Sequence, residues 1–216
     1  MSLDESTRSA LIEYVTPYLV AGFWELADIT DWALHGVDGL EECHDEATLM
    51  IQGMWNDRLT EQAGWPDTGD YGRLQRVFDQ LEAESIVARM NFSCCASCAY
   101  HDIASEGTWT PSDGIAEIGY VYFHQQEALN LGHPNPTLYL GFGSFNPHPT
   151  LPEAVRQAAR DDETAMADAL AETDVLVGRR IVELAAAQGL AVTWSDSSDD
   201  CVELFVPQWR KPLPVS

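Results

Sequence analysis

The spacing at which apolar residues recur changes near residue 86 from that of helices to that of strands, and that change restricts the chain to a mixed architecture. Before that point Leu11, Val15 and Tyr18, with Ile12 and Leu19 beside them, repeat every three to four residues. Leu49, Met50, Ile51, Met54, Trp55 and Leu59 mark a second such stretch, and Leu74, Val77, Phe78 and Leu81 a third at i, i+3, i+4, i+7. This spacing lines one face of a helix. Three helices are therefore predicted, the first kinked or ended near Pro17 and the second starting near Asp45-Glu46, which suits the positive end of a helix dipole. After residue 86 the spacing becomes that of strands: residues 86–92, 118–123 and 137–142, the second nearly all apolar or aromatic and so expected to be buried on both faces.

The segment NPHPTLP, residues 146–152, places three prolines in seven positions and reads as a linker into a long helix over about 152–188. That helix is expected to break near Asp161-Asp162 and to end at Gly189, a left-handed cap. Leu190–Trp194 and Cys201–Val206, joined by a polar loop, then form a hairpin. The order predicts an α+β fold: a mixed or mainly antiparallel sheet of about five strands, packed helices and an N-terminal helical portion. One domain over 1–216 is expected, comprising an acidic helical portion (1–85), a sheet-rich core (86–145) and the long helix with its hairpin (152–211).

Charge narrows the partners. The 35 acidic and 11 basic residues give a formal net charge of -24, with 18 acidic against 4 basic over residues 1–85 and 5 against 1 over 86–150. Such a field repels nucleic-acid phosphates and anionic membranes and favours a basic protein partner. Lys211 is the only lysine. No apolar run is long enough to span a bilayer, and the acidic first twenty residues lack the pattern of a signal peptide, so a cytoplasmic protein is expected. Five cysteines, an odd number, point to reduced thiols and not to a disulfide framework.

Three of those cysteines fall in NFSCCASCAYHD, residues 91–102. Ser93 is a suitable N-cap, and a helix starting at Cys94 would put Cys94, Cys98 and His101 at i, i+4 and i+7, one stripe, with Cys95 about 100° away. Two soft ligands and an imidazole make three quarters of a tetrahedral zinc site, for which Cys43, His44 or His124 would supply the fourth ligand. Adjacent Cys43-His44 make a poor second pair. A second reading takes Cys95 and Cys98 as a redox CxxC, with His101 or His124 as acid–base partners. A third has small thiols packing a strand–helix junction. His124 can equally cap a strand end, and Gly141–Ser144, lacking the Gly-Lys-Ser/Thr of a phosphate loop, reads as a turn at a sheet edge. No GxSxG, HExxH, GxGxxG or EF-hand pattern occurs.

The blocks LQRVFDQLEAESIVARMNFSCCASCAY, GYVYFHQQ, LYLGFG and VGRRIVELAAAQGLAVTWSDSSDDCVELFVPQW resemble a bacterial, largely actinobacterial, family of unknown function over residues 45–211. The resemblance implies a bacterial cytosolic domain and assigns no reaction, ligand or catalytic residue. Acidic flanks and missing catalytic motifs favour a non-enzymatic interaction or binding module. The alternative is a zinc-binding or thiol-dependent enzyme centred on Cys94, Cys95, Cys98 and His101.

Overall fold

A computed structural model describes residues 3–40, 42–111 and 114–214. In chain order these form α1 (Glu5–Ala21), α2 (Leu26–Gly36), α3 (His44–Ala63), α4 (Gly69–Ala83), β1 (Ile86–Arg89) and α5 (Ala96–Asp102). There follow β2 (Trp109–Thr110), β3 (Gly114–Ile115), β4 (Gly119–Tyr122), α6 (Gln125–Leu129), β5 (Thr137–Ser144), α7 (Glu153–Asp161), α8 (Glu163–Ala187), β6 (Ala191–Thr193) and β7 (Val202–Phe205). The chain divides into two compact units: residues 1–72, 128–136 and 207–216, and residues 73–127 and 137–206.

The first unit is helical. Asp4 caps α1 by accepting from Thr7 N–H at 2.8 Å, and Leu11, Val15 and Leu19 form its buried stripe. Contrary to the predicted kink or end, α1 runs through Pro17 to Gly22. An interior proline costs about 3 kcal/mol, but stopping there would forfeit burial of Leu19. A close neighbour also needs the proline's position: a Cβ on Gly132 would come within 2.9 Å of Pro17 Cα. The helix α2, absent from the expectation, buries only Ile29 and Ala33, too sparse a stripe to stand out by spacing. In α3 the buried face is Ala47, Ile51, Trp55 and Arg58, while Leu49, assigned to that face above, is 72% exposed.

The C-terminal segment belongs to the same unit and is held by polar anchors. Trp209 Nε1 donates to Ala21 O at 3.1 Å, Gln208 N–H to the Asp70 carboxylate at 2.7 Å, and Leu213 N–H to Gln62 Oε1 at 3.0 Å. Lys211 Nζ donates to Gly22 O at 2.7 Å and lies 4.7 Å from the Phe23 ring centroid and 5.3 Å from that of Tyr71. Burial holds its pKa below the ordinary lysine value.

The second unit contains the five-stranded sheet, order β1-β4-β5-β7-β6. The β1–β4 pairing is parallel and the rest are antiparallel, so the α+β class holds with a mixed sheet. The expected break in the long helix falls at Asp162, which caps α8 by accepting from Ala165 N–H at 2.8 Å. Gly189 follows with a φ of 74°. On one sheet face α8 packs closely: a Cβ on Gly119 would meet Val177 Cγ2 at 3.2 Å. On the other, Tyr122 and Val87 form a cluster with Ala99 of α5 and Ile103.

Gly141–Ser144 is not a turn but the second half of β5, the central strand. Its glycines face two tyrosines of β4 across the register pairs Tyr120↔Gly143 and Tyr122↔Gly141. A Cβ at position 143 would lie 2.5 Å from Tyr120 Oη, and one at 141 would lie 2.9 Å from Tyr122 Cζ. Glycine here makes room for the rings that floor the α5 cluster.

Candidate functional site

The cysteine block is a short loop with both ends tied down. Phe92 N–H donates to Phe123 O at 2.9 Å, and Gln125 N–H to Ser93 O at 3.1 Å, which fastens the loop to the end of β4. Asn91 and Ser93 lie in the left-handed region, φ 53° and 55°, which breaks the extended run, and β1 stops at Arg89 instead of reaching Phe92. Asn91 Oδ1 is buried without a hydrogen-bond partner. Strained backbone and an unsatisfied buried oxygen are features that cluster at functional segments.

These turns reset the helix. Ser93 does not cap it; its hydroxyl donates to Asp102 Oδ2 at 2.9 Å. Cys95, extended at φ -153° and ψ 173°, takes the N-cap position, and α5 starts at Ala96. Cys94 therefore precedes the helix, and the expected stripe of Cys94, Cys98 and His101 does not form. The Sγ atoms of Cys94, Cys95 and Cys98 instead lie within 4.8 Å of one another, the only such group of three potential ligand atoms among the described residues. Cys94 Sγ and Cys95 Sγ are 3.8 Å apart.

Cys94 is exposed, Cys95 and Cys98 are partly so. The Cys98 backbone N–H, with the Cys98 and Cys94 thiols, holds the Cys95 pKa below the usual thiol value. The neighbouring Cys94 and Cys95 sulfurs push Cys98 up to about 12. Of these two thiols Cys95 thus releases its proton more readily than Cys98.

The remaining candidates lie apart from this group. His101 is exposed, its ring edge-on to Tyr100 at 5.7 Å between centroids. His124 Nδ1 accepts from Glu127 N–H at 3.3 Å and so caps α6, while burial lowers its pKa against the opposing Glu127 carboxylate. Cys43 is buried in the first unit as the N-cap residue of α3, and His44 is the first, exposed, residue of that helix. Cys201 is the fifth thiol; burial pushes its pKa up, with Glu127, Asp200 and Glu203 adding to the effect. None of the five is in a disulfide. A hollow of about 470 Å³ is lined by Glu84, His148, Arg179, Arg180 and Glu183, but its arginines are already paired, Arg180 with Glu84 and Glu183 and Arg179 with Asp196.

Fold and loop together define a mixed α+β protein with one compact three-thiol group on a strand-to-helix connection. The chain belongs to the family described as a domain of unknown function (DUF6891), whose model matches residues 4–213. No curated protein and no solved structure matches it. No described helix is long and apolar enough to cross a membrane.

Proposed function

We propose that Cys94, Cys95 and Cys98 bind a soft, thiophilic metal ion such as zinc, with the protein supplying three thiolates and leaving the remaining coordination position to solvent or a ligand. The observation that carries this reading is the spacing of the sulfurs. Zinc–sulfur bonds of about 2.3 Å at the tetrahedral angle require neighbouring sulfurs about 3.8 Å apart, and Cys94 and Cys95 have that separation with Cys98 Sγ within 4.8 Å of both. Thiolate ligands select zinc or copper(I) over the hard oxygen-seeking cations. Because all three ligands come from one short segment, binding has little of the fold to organise, which suits a regulatory or exchangeable ion better than a structural one. A reducing compartment such as the cytoplasm keeps such thiols available.

The test is a titration of reduced, untagged protein with cobalt(II) and then zinc, following the sulfur-to-cobalt charge-transfer absorbance and its loss as zinc displaces cobalt. One equivalent is expected, with each of Cys94→Ser, Cys95→Ser and Cys98→Ser weakening binding and His101→Ala and His124→Ala leaving it intact. Absence of the charge-transfer band sinks the proposal. A second reading, docking of a basic protein, is favoured by the net charge of -24. It predicts a complex that weakens steeply with salt and survives all three cysteine substitutions.

A further inference from the structure

We infer that Cys95 and Cys98 close into a disulfide by exchange with a small-molecule disulfide while Cys94 stays reduced, so that oxidation releases the ion that the reduced loop binds. The inference rests on the metal reading above and adds its control.

The geometry selects the pair. The sulfurs of Cys94 and Cys95 are 3.8 Å apart, but adjacent Cα atoms are held about 3.8 Å apart by the peptide unit, below the roughly 4.4–6.8 Å that ordinary disulfides require. Cys95 and Cys98 stand three residues apart across the N-cap and first turn of α5. A rise of about 1.5 Å per residue on a radius of about 2.3 Å puts such Cα atoms near 5 Å, well inside the window. The extended backbone at Cys95 carries Cys94 away from the helix, so a Cys94–Cys98 bridge would have to span more. Access is open, since Cys94 is exposed and both other thiols are partly so, as are Ala96, Ser97 and Tyr100 around them.

The exchange balances without a further reagent. One of the two thiols, as thiolate, attacks a sulfur of the small disulfide; the S–S bond breaks and the leaving thiolate takes up a proton. The other thiol gives up its proton and attacks the protein sulfur of the mixed disulfide, forming the Cys95–Cys98 bond and expelling the second small thiol. Two protein thiols are oxidised and one disulfide is reduced to two thiols. Of three metal ligands only Cys94 is left, and a single exposed thiolate does not retain zinc against water.

The experiment incubates the reduced protein, zinc-loaded and metal-free, with 2-hydroxyethyl disulfide, alkylates the remaining thiols with iodoacetamide and maps the tryptic peptide 90–156, which contains these three cysteines and no other. Released zinc is followed with a chromophoric chelator. The expected product has a Cys95–Cys98 bridge, one alkyl group on Cys94, and zinc appearing in step with the bridge. Cys94→Ser still closes the bridge, whereas Cys95→Ser and Cys98→Ser stop at mixed disulfides. Zinc uptake by the reduced protein followed by a different bridge, by mixed disulfides alone, or by zinc retained after closure overturns the inference and leaves the metal reading standing. Failure of the reduced protein to take up zinc at all removes the metal reading, and with it the release step, whichever bridge forms.

Discussion

Replacing Gly178 by alanine sets two opposing effects against each other at one atom. Gly178 is buried in the middle of α8, where alanine normally gains about 1 kcal/mol over glycine through helix propensity. The new Cβ would lie 2.6 Å from Cζ2 and Cη2 of Trp194 and 3.0 Å from Cζ of Phe142. Reaching an ordinary contact of 3.4 Å requires the indole to retreat by about 0.8 Å. It is not free to do so. Its Nε1 donates to Ser197 O at 3.0 Å and Asp200 O at 3.1 Å, and its ring stands edge-on to Phe142 at 5.6 Å between centroids. Overpacking of a fixed core of this kind costs about 1–3 kcal/mol, and weakening one of those hydrogen bonds about 1 kcal/mol more. The clash wins, and Gly178→Ala is expected to destabilise by about 1–3 kcal/mol in urea unfolding followed by far-ultraviolet circular dichroism. In a Trp194→Leu background the 2.6 Å obstacle is gone and only the 3.0 Å approach to Phe142 remains, so the same substitution should turn neutral or stabilising by up to about 1 kcal/mol. A Gly178→Ala protein more stable than the parent would refute the reasoning.

Three further outcomes are expected. Apparent zinc affinity should rise with pH by up to about tenfold per unit for each thiol proton displaced, because Cys98, pushed up to about 12 by its sulfur neighbours, releases its proton last; a pH-independent affinity in isothermal titration would exclude thiolate ligation. Glu84→Gln should cost about 0.5–1 kcal/mol at neutral pH, the worth of a partly exposed pair with Arg180. Its partner holds the Glu84 carboxyl below the ordinary 4.5, so the contribution is present above 4.5 and lost as pH falls through the lower folded-state value; a difference that persists under acid would contradict this. His124 has its pKa lowered from 6.5 by burial, so protonation taxes the folded state only below 6.5. His124→Asn, which keeps a capping side chain, should flatten the acid-side loss of stability in thermal melts across that window.

How much of this was legible in the sequence depended on whether one local signal determined the outcome. The stripe Leu74, Val77, Phe78, Leu81 is wholly buried, and the break at Asp162 follows from a side chain able to cap the next helix. In both, the residues that give the signal also make the contacts. Where a distant neighbour decides, the local rule fails. Pro17 continues a helix whose buried stripe extends past it, and Gly141 and Gly143 are strand residues because tyrosines on the next strand occupy the space of their side chains. The same holds at the cysteines. Their proximity could be read from the spacing, but which three gather turns on the left-handed backbone at Asn91 and Ser93. That shifts the helix start past Cys94 and exchanges His101 for Cys95 in the group. Glycine is the usual residue at such φ values, and neither Asn91 nor Ser93 announces them strongly.

The single lysine has a practical consequence for anyone seeking what this protein touches. Its amine is engaged by a backbone carbonyl and held between aromatic rings, and the residue is only partly exposed, so lysine-directed cross-linkers, biotin esters and amine-coupled surfaces find a single, poorly available side-chain handle on it. A partner seated away from Lys211 leaves little trace of this chain's side chains in an amine cross-linking map. The 35 carboxylates offer the opposite. Carbodiimide coupling, which joins acidic groups on this chain to lysines on a basic neighbour, has dense coverage on one side and nearly all of its lysine nucleophiles on the other, so every cross-link formed through a lysine other than Lys211 is an intermolecular contact.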